Sequence, residues 1–348
     1  MKTVLVTGAT GFVGSHVLEA LMGRHDVRLI AACRDRRKIV PQFSGEVREG
    51  NLHDERYLDG LLHEVDVVCH AASWSSLCGH TKESQALYYQ PTVRLIDQAL
   101  SCHVSRLINV SSTAAAAPTA SADALSRGIP RRFWPHLCSV IAIEDYLRAH
   151  ANQGCTMVNL RLGDFVGKRY ALGLLPILLP RLKTRLVPWI AGGKTKFPLV
   201  DGQDIGQAFA LAALTPHLSG YESFNIVGPE QPTVREVIEF LHTEFGYPTP
   251  HFSVPFSVAY LFAGFLETLH RFLPGDPLVT RSIVHLLEDP HATNTQAYIR
   301  LGYEPRIRWQ DSIRAQIAEM AVRQTQPMKM SQPVSDTAPH LASVRSGQ

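Results

Sequence analysis

The sequence predicts an α/β fold: a doubly wound parallel sheet followed by a smaller, mostly helical C-terminal region. Three observations carry this. Apolar runs suited to strands alternate with helical stretches through the first two-thirds of the chain, as parallel strands joined by crossover helices require. A strand, three spaced glycines and an amphipathic helix open the chain. Later segments such as TVREVIEFLHTEFG and DSIRAQIAEMAVR are helical with little strand between them.

In order, the strand runs are TVLVT, VRLIAAC, VDVVCHAA, RLINVSS and TMVNLRL, with SHVLEALM and TVRLIDQALS among the helices that separate them. WPHLCSVIAIED, Trp134 to Asp145, starts a further helix, on which His136, Val140 and Glu144 share one face at steps of four. The expected division is residues 1–168 for a nucleotide-binding core, 169–322 for a substrate-binding cap with segments returning to the core, and 323–348 for a polar, aperiodic, disordered tail.

Composition removes several classes. The chain has 348 residues, 45% of them hydrophobic, enough for a full core, and a net charge of +3 with no long basic run argues against nucleic acid. Its six cysteines are scattered without a CxxC pair, and the N-terminus opens straight into a strand, so reduced thiols in a cytoplasmic protein are expected. Cys69, His70, Cys78 and His80 lie close together but match no common zinc spacing, and no metal is assigned.

TVLVTGATGFVGSHVLEAL places Gly8, Gly11 and Gly14 at a strand-to-helix turn. One glycine permits the tight turn, one the approach of backbone to a pyrophosphate, and one the packing of helix on strand, the Rossmann arrangement for a dinucleotide. With Thr10, Phe12 and Val13 they form the phosphate cradle, where the helix N-terminus offers N–H groups and partial positive charge. The second strand ends AACRDRRK. Arg34, with Arg36, Arg37 and Lys38 behind it, suits the 2′-phosphate of NADP(H), whereas Asp35 keeps NAD(H) open.

With these residues in place the chain resembles the extended short-chain dehydrogenase/reductase superfamily, whose TGxxGFxG matches Thr7 to Gly14. GNLHD resembles that family's GDLxD turn, which implies adenine contacts from Asn51 and Leu52. VDVVCHAAS resembles the strand passing under the cofactor, which implies Ala71 and Ala72 at the ribose and His70 as a packed strand end. NVSSTAA resembles the strand carrying the catalytic hydroxyl, here Thr113, with Ser111 and Ser112 close by. RLGDFVG resembles the family's RPGxVYG. FPLVDGQDIGQAF resembles its strand and helix near the substrate, and PLVTRSIVHLLEDPHATNTQAYIRLGYEP is similar to the C-terminal pattern of 3β-hydroxysteroid dehydrogenase/isomerase-like members, with Gln296 where a lysine is usual.

The likeness spans roughly Met1 to Met320 and breaks at one place. The family's YxxSKxxxE, with its glutamate seventeen residues before the RPG arginine, maps Glu144 against Arg161, Ser139 onto the serine, and His136 and Val140 onto the tyrosine and lysine. Tyr146 and His150 also stand four apart, but they leave too little chain before Arg161 and supply no lysine. An unperturbed imidazole titrates near 6.5, so His136 is the candidate acid or base beside Thr113.

Two functions follow. One is an NADP(H)-dependent oxidoreductase working on a hydroxyl or carbonyl of an apolar metabolite by a mechanism without the tyrosine/lysine pair. The other is a catalytically silent dinucleotide-binding sensor or assembly protein. Leu172 to Leu182 and Val254 to Pro274 are rich in Leu and Phe. They suit cap-domain core first, and otherwise a substrate lid or a helix on a membrane surface; homodimer formation is also open.

Overall fold

The computed structural model describes residues 1–116, 120–169, 174–270, 272, 277, 279–288 and 291–325, with side chains up to 323. Its centre is a parallel sheet of seven strands. Six come from the first half: β1 (Lys2–Thr7), β2 (Val27–Cys33), β3 (Glu46–Glu49), β4 (Val67–His70), β5 (Arg106–Ser112) and β6 (Thr156–Leu162). Short strands follow, β7 (Asp164–Val166) beside β9 (Leu199–Asp201), and β8 (Trp189–Ile190) beside β11 (Ser253–Val254). β10 (Tyr221–Ile226) returns to the main sheet, whose order is β10-β6-β5-β4-β1-β2-β3.

The direction in which successive strands are added across the sheet reverses between β1 and β4. That junction opens a crevice at the carboxyl edge, where open α/β sheets bind ligands.

Helices cover both faces. On one, α1 (Phe12–Leu21) packs against α7 (Gly202–Leu214), burying Val17, Leu18, Ala208 and Phe209 against Val4, Val6 and Leu160. On the other lie α2 (Glu55–Leu61), the short α3 (Thr81–Ser84), α4 (Gln90–Ser101) and α5 (Pro135–His150), with Leu58, Leu95, Ile96, Ile141 and Ile143 against Leu5, Val68 and Leu107. Arg106, buried at the start of β5, donates to the carbonyls of Ala212 and Thr215, both at 2.8 Å, and so satisfies the end of α7.

A second core holds α6 (Leu174–Lys183), α8 (Val234–Phe245) and α12 (Trp309–Thr325) around Val166, Leu179, Leu241 and Ile313. α9 (Phe256–Leu269), α10 (Arg281–His285) and α11 (Thr295–Leu301) complete the C-terminal region. The two apolar segments singled out in the sequence part ways here. Leu175, Leu179 and Leu182 are buried core, whereas α9 buries only Ala259 and Ala263 and leaves Val258, Leu261, Phe262, Phe265 and Leu269 exposed. Leu172, Gly173, Arg271 and Leu273–Pro274 lie outside the described residues, as does the expected tail from 326 onward; α12 runs through its first three positions.

Candidate active site

The glycine turn is built as tightly as its chemistry requires. Gly8 adopts φ +62°, and a β-carbon there would lie 2.6 Å from the Ala72 nitrogen; one on Gly14 would lie 2.2 Å from the Gly8 carbonyl oxygen. The Gly11 N–H closes the turn on the Gly8 carbonyl at 2.9 Å. No side chain caps α1 at Gly11, so the helix start stays shaped for an external anion. Thr10 is half-buried on the turn and Val13 is buried behind it. The Phe12 ring stacks on Phe165 with centroids 5.6 Å apart, fixing the loop after β6 against the glycine turn.

Ala71 and Ala72 leave β4 half-buried beside Gly8, and the Ala72 N–H donates to the Thr7 hydroxyl at 3.3 Å. His70 is packed within the strand ends. Its ring bridges Thr7 at 2.8 Å and Thr92 at 3.1 Å, and burial pushes its pKa down to about 4.

At the end of β2 the basic cluster divides. Arg37 is clamped to the Asp35 carboxylate through hydrogen bonds of 2.9 and 3.0 Å, and Arg36 lies 3.7 Å from Glu49. Arg34 is exposed and makes no hydrogen bond or ion pair among the described residues. Asn51 follows β3 with its amide oxygen accepting from the His53 N–H at 3.2 Å, and Leu52 packs partly onto the core below. A dinucleotide's phosphates fit this turn, since a side chain at Gly8 or Gly14 would collide with backbone and push the uncapped start of α1 out of place.

Toward the other end of the crevice, Glu144 and Arg161 form a buried ion pair, Nε to Oε1 at 2.9 Å and an Nη to Oε2 at 2.5 Å. Ser111 donates to the same carboxylate, as does Asn159 at 2.9 Å. Ser111 therefore serves the ion pair, and Ser112 accepts from the Ala114 N–H at 3.2 Å. Thr113 starts a 3₁₀ turn, buried, with its hydroxyl bound to no other side chain among the described residues.

On α5, two turns before Glu144, His136 is half-buried, and its Nδ1 is enclosed without a partner. Burial pushes its pKa down to about 4, which corrects the expectation of an imidazole titrating near neutrality: at pH 7 the ring is neutral. Val140 between them is core. The ring of Tyr88 lies over His136 with centroids 5.2 Å apart, buried, and burial raises its phenol well above the ordinary range. Tyr146 and His150 point toward α4, Tyr146 donating to Asp97 at 2.5 Å with the His150 ring stacked at 4.1 Å.

Tyr88 was not legible in the sequence. It sits in a π-helical turn, Gln85–Tyr89, just before Pro91, which has no N–H to give to the carbonyl four residues back; a wider turn there adds one residue and re-aims the chain. β3 and β10 were missed as well. EVRE is polar and half-exposed at an edge, and YESFNI alternates imperfectly.

The glycine cradle at a switch point and the sheet order meet in one further finding: the sequence profile of the NAD dependent epimerase/dehydratase family matches residues 4–227. The chain belongs to that family. A curated relative from Stigmatella aurantiaca, 4-hydroxy-2-methyl-3-oxo-4-farnesyl-3,4-dihydroquinoline-1-oxide ketoreductase, is 24% identical over 323 residues, covering 90% of this chain and 95% of that one. A second, sterol-4-alpha-carboxylate 3-dehydrogenase, decarboxylating, from Dictyostelium discoideum, is 22% identical over 328 residues, 89% of this chain and 98% of that one. Among solved structures, UDP-glucuronic acid 4-epimerase from Bacillus cereus in complex with UDP-glucuronic acid and NAD superimposes with a TM-score of 0.68 at 20% identity, covering 92% of this chain and 99% of that one. At such identity the likeness establishes the fold of this family member.

Proposed function

We propose that this family member is an NADP(H)-dependent oxidoreductase that interconverts a carbonyl and a hydroxyl on an apolar metabolite without the tyrosine/lysine pair. The observation carrying the cofactor choice is the division of the basic cluster: Asp35, which would otherwise hold a ribose diol, is occupied by Arg37, while the Arg34 guanidinium is unengaged. Gly8, Thr10, Gly11, Phe12, Val13 and Gly14 would hold the pyrophosphate, Ala71 and Ala72 the ribose, and Asn51 and Leu52 the adenine. The bound cofactor supplies or takes up a hydride. Thr113 and His136 orient the substrate oxygen, and His136, neutral at pH 7, does so as a hydrogen-bonding group.

An apolar substrate is supported by the relatives' names, one carrying a farnesyl group and the other a sterol. The α9 surface supports contact with a membrane from which such a substrate would come. Val258, Leu261, Phe262, Phe265 and Leu269 recur at intervals of three and four and form one exposed stripe; the helix's one acidic group, Glu267, turns inward to Arg281 at 2.7 Å. No helix of the described residues is long and apolar enough to cross a membrane, so contact would be peripheral.

A second reading, a dinucleotide-binding protein without turnover, is favoured by Tyr88 lying beside His136 on a face where Val140 brings no ammonium. Thermal unfolding with each cofactor and a hydride-transfer assay on ketones separate the two: both readings expect NADPH to stabilise more than NADH, and only the first expects oxidation of NADPH that depends on a ketone.

A further inference from the structure

We propose that Asp164 is the proton-transferring residue of this site, giving its carboxyl proton to the substrate oxygen during reduction and taking it back during oxidation. The assignment rests on the oxidoreductase reading above, which leaves the reaction without an acid, since His136 is neutral at pH 7 and the family's tyrosine and lysine positions hold imidazole and valine.

Ser112 of β5 is paired with Leu162 of β6, so the chains leave the carboxyl edge side by side, one into Thr113 and the other into Gly163 and Asp164. The next residue, Phe165, stacks on Phe12 of the glycine turn. Asp164 thus leaves the carboxyl edge of the sheet next to the strand end that carries Thr113, and its side chain faces away from the Phe165 ring that packs on the glycine turn.

The Asp164 N–H is used, donating to the Pro198 carbonyl at 2.9 Å, but its carboxyl has no hydrogen-bond or ion-pair partner among the described residues. A carboxyl without a partner in the fold and only partly reached by solvent favours its protonated form or a ligand. The side chain is half-buried by surface, yet the protein around the carboxyl is dense enough that burial alone pushes its pKa up to about 7.

Charged groups on the neighbouring elements are committed elsewhere. On β9, the Asp201 carboxylate accepts from the Gln203 N–H at 2.8 Å and the Ser312 hydroxyl at 2.6 Å; on β6, Arg161 is held by Glu144. On α6, Arg181 donates to the Ile177 carbonyl at 2.8 Å; on α12, Glu319 accepts from the Arg169 N–H at 2.5 Å, with Arg323 on its other oxygen, and Arg314 is paired to Glu244 and Asp311. Burial is the one cause acting on Asp164.

The step balances. A hydride with its electron pair forms the new C–H bond at the carbonyl carbon as the dihydronicotinamide is oxidised to the nicotinamide cation. The carbonyl π pair moves to oxygen and takes the Asp164 proton as the carboxyl O–H breaks, and water reprotonates the carboxylate. A carboxyl titrating near the working pH suits both directions.

The test is ketone reduction by the full chain with saturating NADPH between pH 5 and 9. The wild type should hold its kcat below pH 7 and lose it tenfold per pH unit well above. Asp164→Asn should lower kcat at least a hundredfold and flatten that profile, with NADPH affinity by fluorescence titration within threefold of wild type, and Asp164→Glu should restore part of the rate. An active wild type whose Asp164→Asn variant keeps kcat within threefold, or keeps the same inflection, overturns the Asp164 assignment alone. A folded, NADPH-bound wild type with no turnover on any apolar ketone overturns the oxidoreductase reading, and the proton role with it.

Discussion

Arg161 on β6 and Glu144 on α5 are joined by two hydrogen bonds in a solvent-free layer between sheet and helix. This pair fixes α5 against β6, and with it the placing of His136 and Val140, which share the helical face of Glu144. Arg161 also donates to the Ser126 carbonyl at 2.7 Å, tying in the loop before α5. Removing one charge leaves the other buried and uncompensated. Glu144→Gln should cost about 3–5 kcal/mol in urea unfolding, and a change below about 1 kcal/mol would show the pair to be no more than a surface-like contact.

Arg34 should decide between the two dinucleotides. The wild type is expected to show a larger rise in Tm with NADPH than with NADH, and Arg34→Ala to bring the NADPH shift down to the NADH value while leaving the latter alone. Equal shifts from both cofactors in the wild type would refute the role given to Arg34.

Two imidazoles, one buried and one half-buried, set an acid limb of stability. His70 and His136 are both held at about 4 in the folded chain, against an ordinary value near 6.5 when unfolded, so the unfolded chain binds more protons between those values. Their contribution is complete above pH 6.5 and is lost as pH falls toward 4. For His70, fully enclosed, the loss is about 3 kcal/mol by linkage. Urea midpoints measured from pH 7 to 4 should fall accordingly, and His70→Asn should flatten part of that slope.

Restoring the family's residues on α5 is expected to fail without a third change. Val140 is core and Tyr88 lies over the neighbouring His136, so Val140→Lys inserts an ammonium with no room and no partner and should destabilise by about 3 kcal/mol or more. Adding Tyr88→Ala should recover much of that in the same unfolding assay. A Val140→Lys chain as stable as wild type would mean that the face is open.

The exposed stripe of α9 should carry any lipid contact. Leu261→Glu with Phe265→Glu should abolish co-sedimentation with phosphatidylcholine/phosphatidylserine vesicles while leaving Tm within about 2 °C, since both side chains already face solvent. Vesicle binding that survives the double substitution would place the contact elsewhere.

Much of this architecture was legible because its causes are local. Three glycines at fixed spacing, β-branched runs and alternating helices specify the sheet and the cradle almost without tertiary information, and the spacing between Glu144 and Arg161 locates the α5 face. What escaped has tertiary causes. Tyr88 reaches His136 only because a π turn re-aims it, and the His136 pKa depends on the protein packed round it. Asp164 reads as one position in a strand-end motif until the absence of a partner for its carboxyl is seen. α9 looked like core by composition, but its small residues, Ala259 and Ala263, turned out to be the buried side.

Under the proposed function, hydride moves between a nicotinamide and an apolar carbonyl in a site without the tyrosine/lysine pair. Incubating the protein with NADPH deuterated at the transferring C4 position and a panel of apolar ketones, then reading the products by mass spectrometry, tests it most directly. The expected product is an alcohol carrying one deuterium on the former carbonyl carbon. Recovery of every ketone unlabelled and unreduced from folded, NADPH-saturated protein would contradict it.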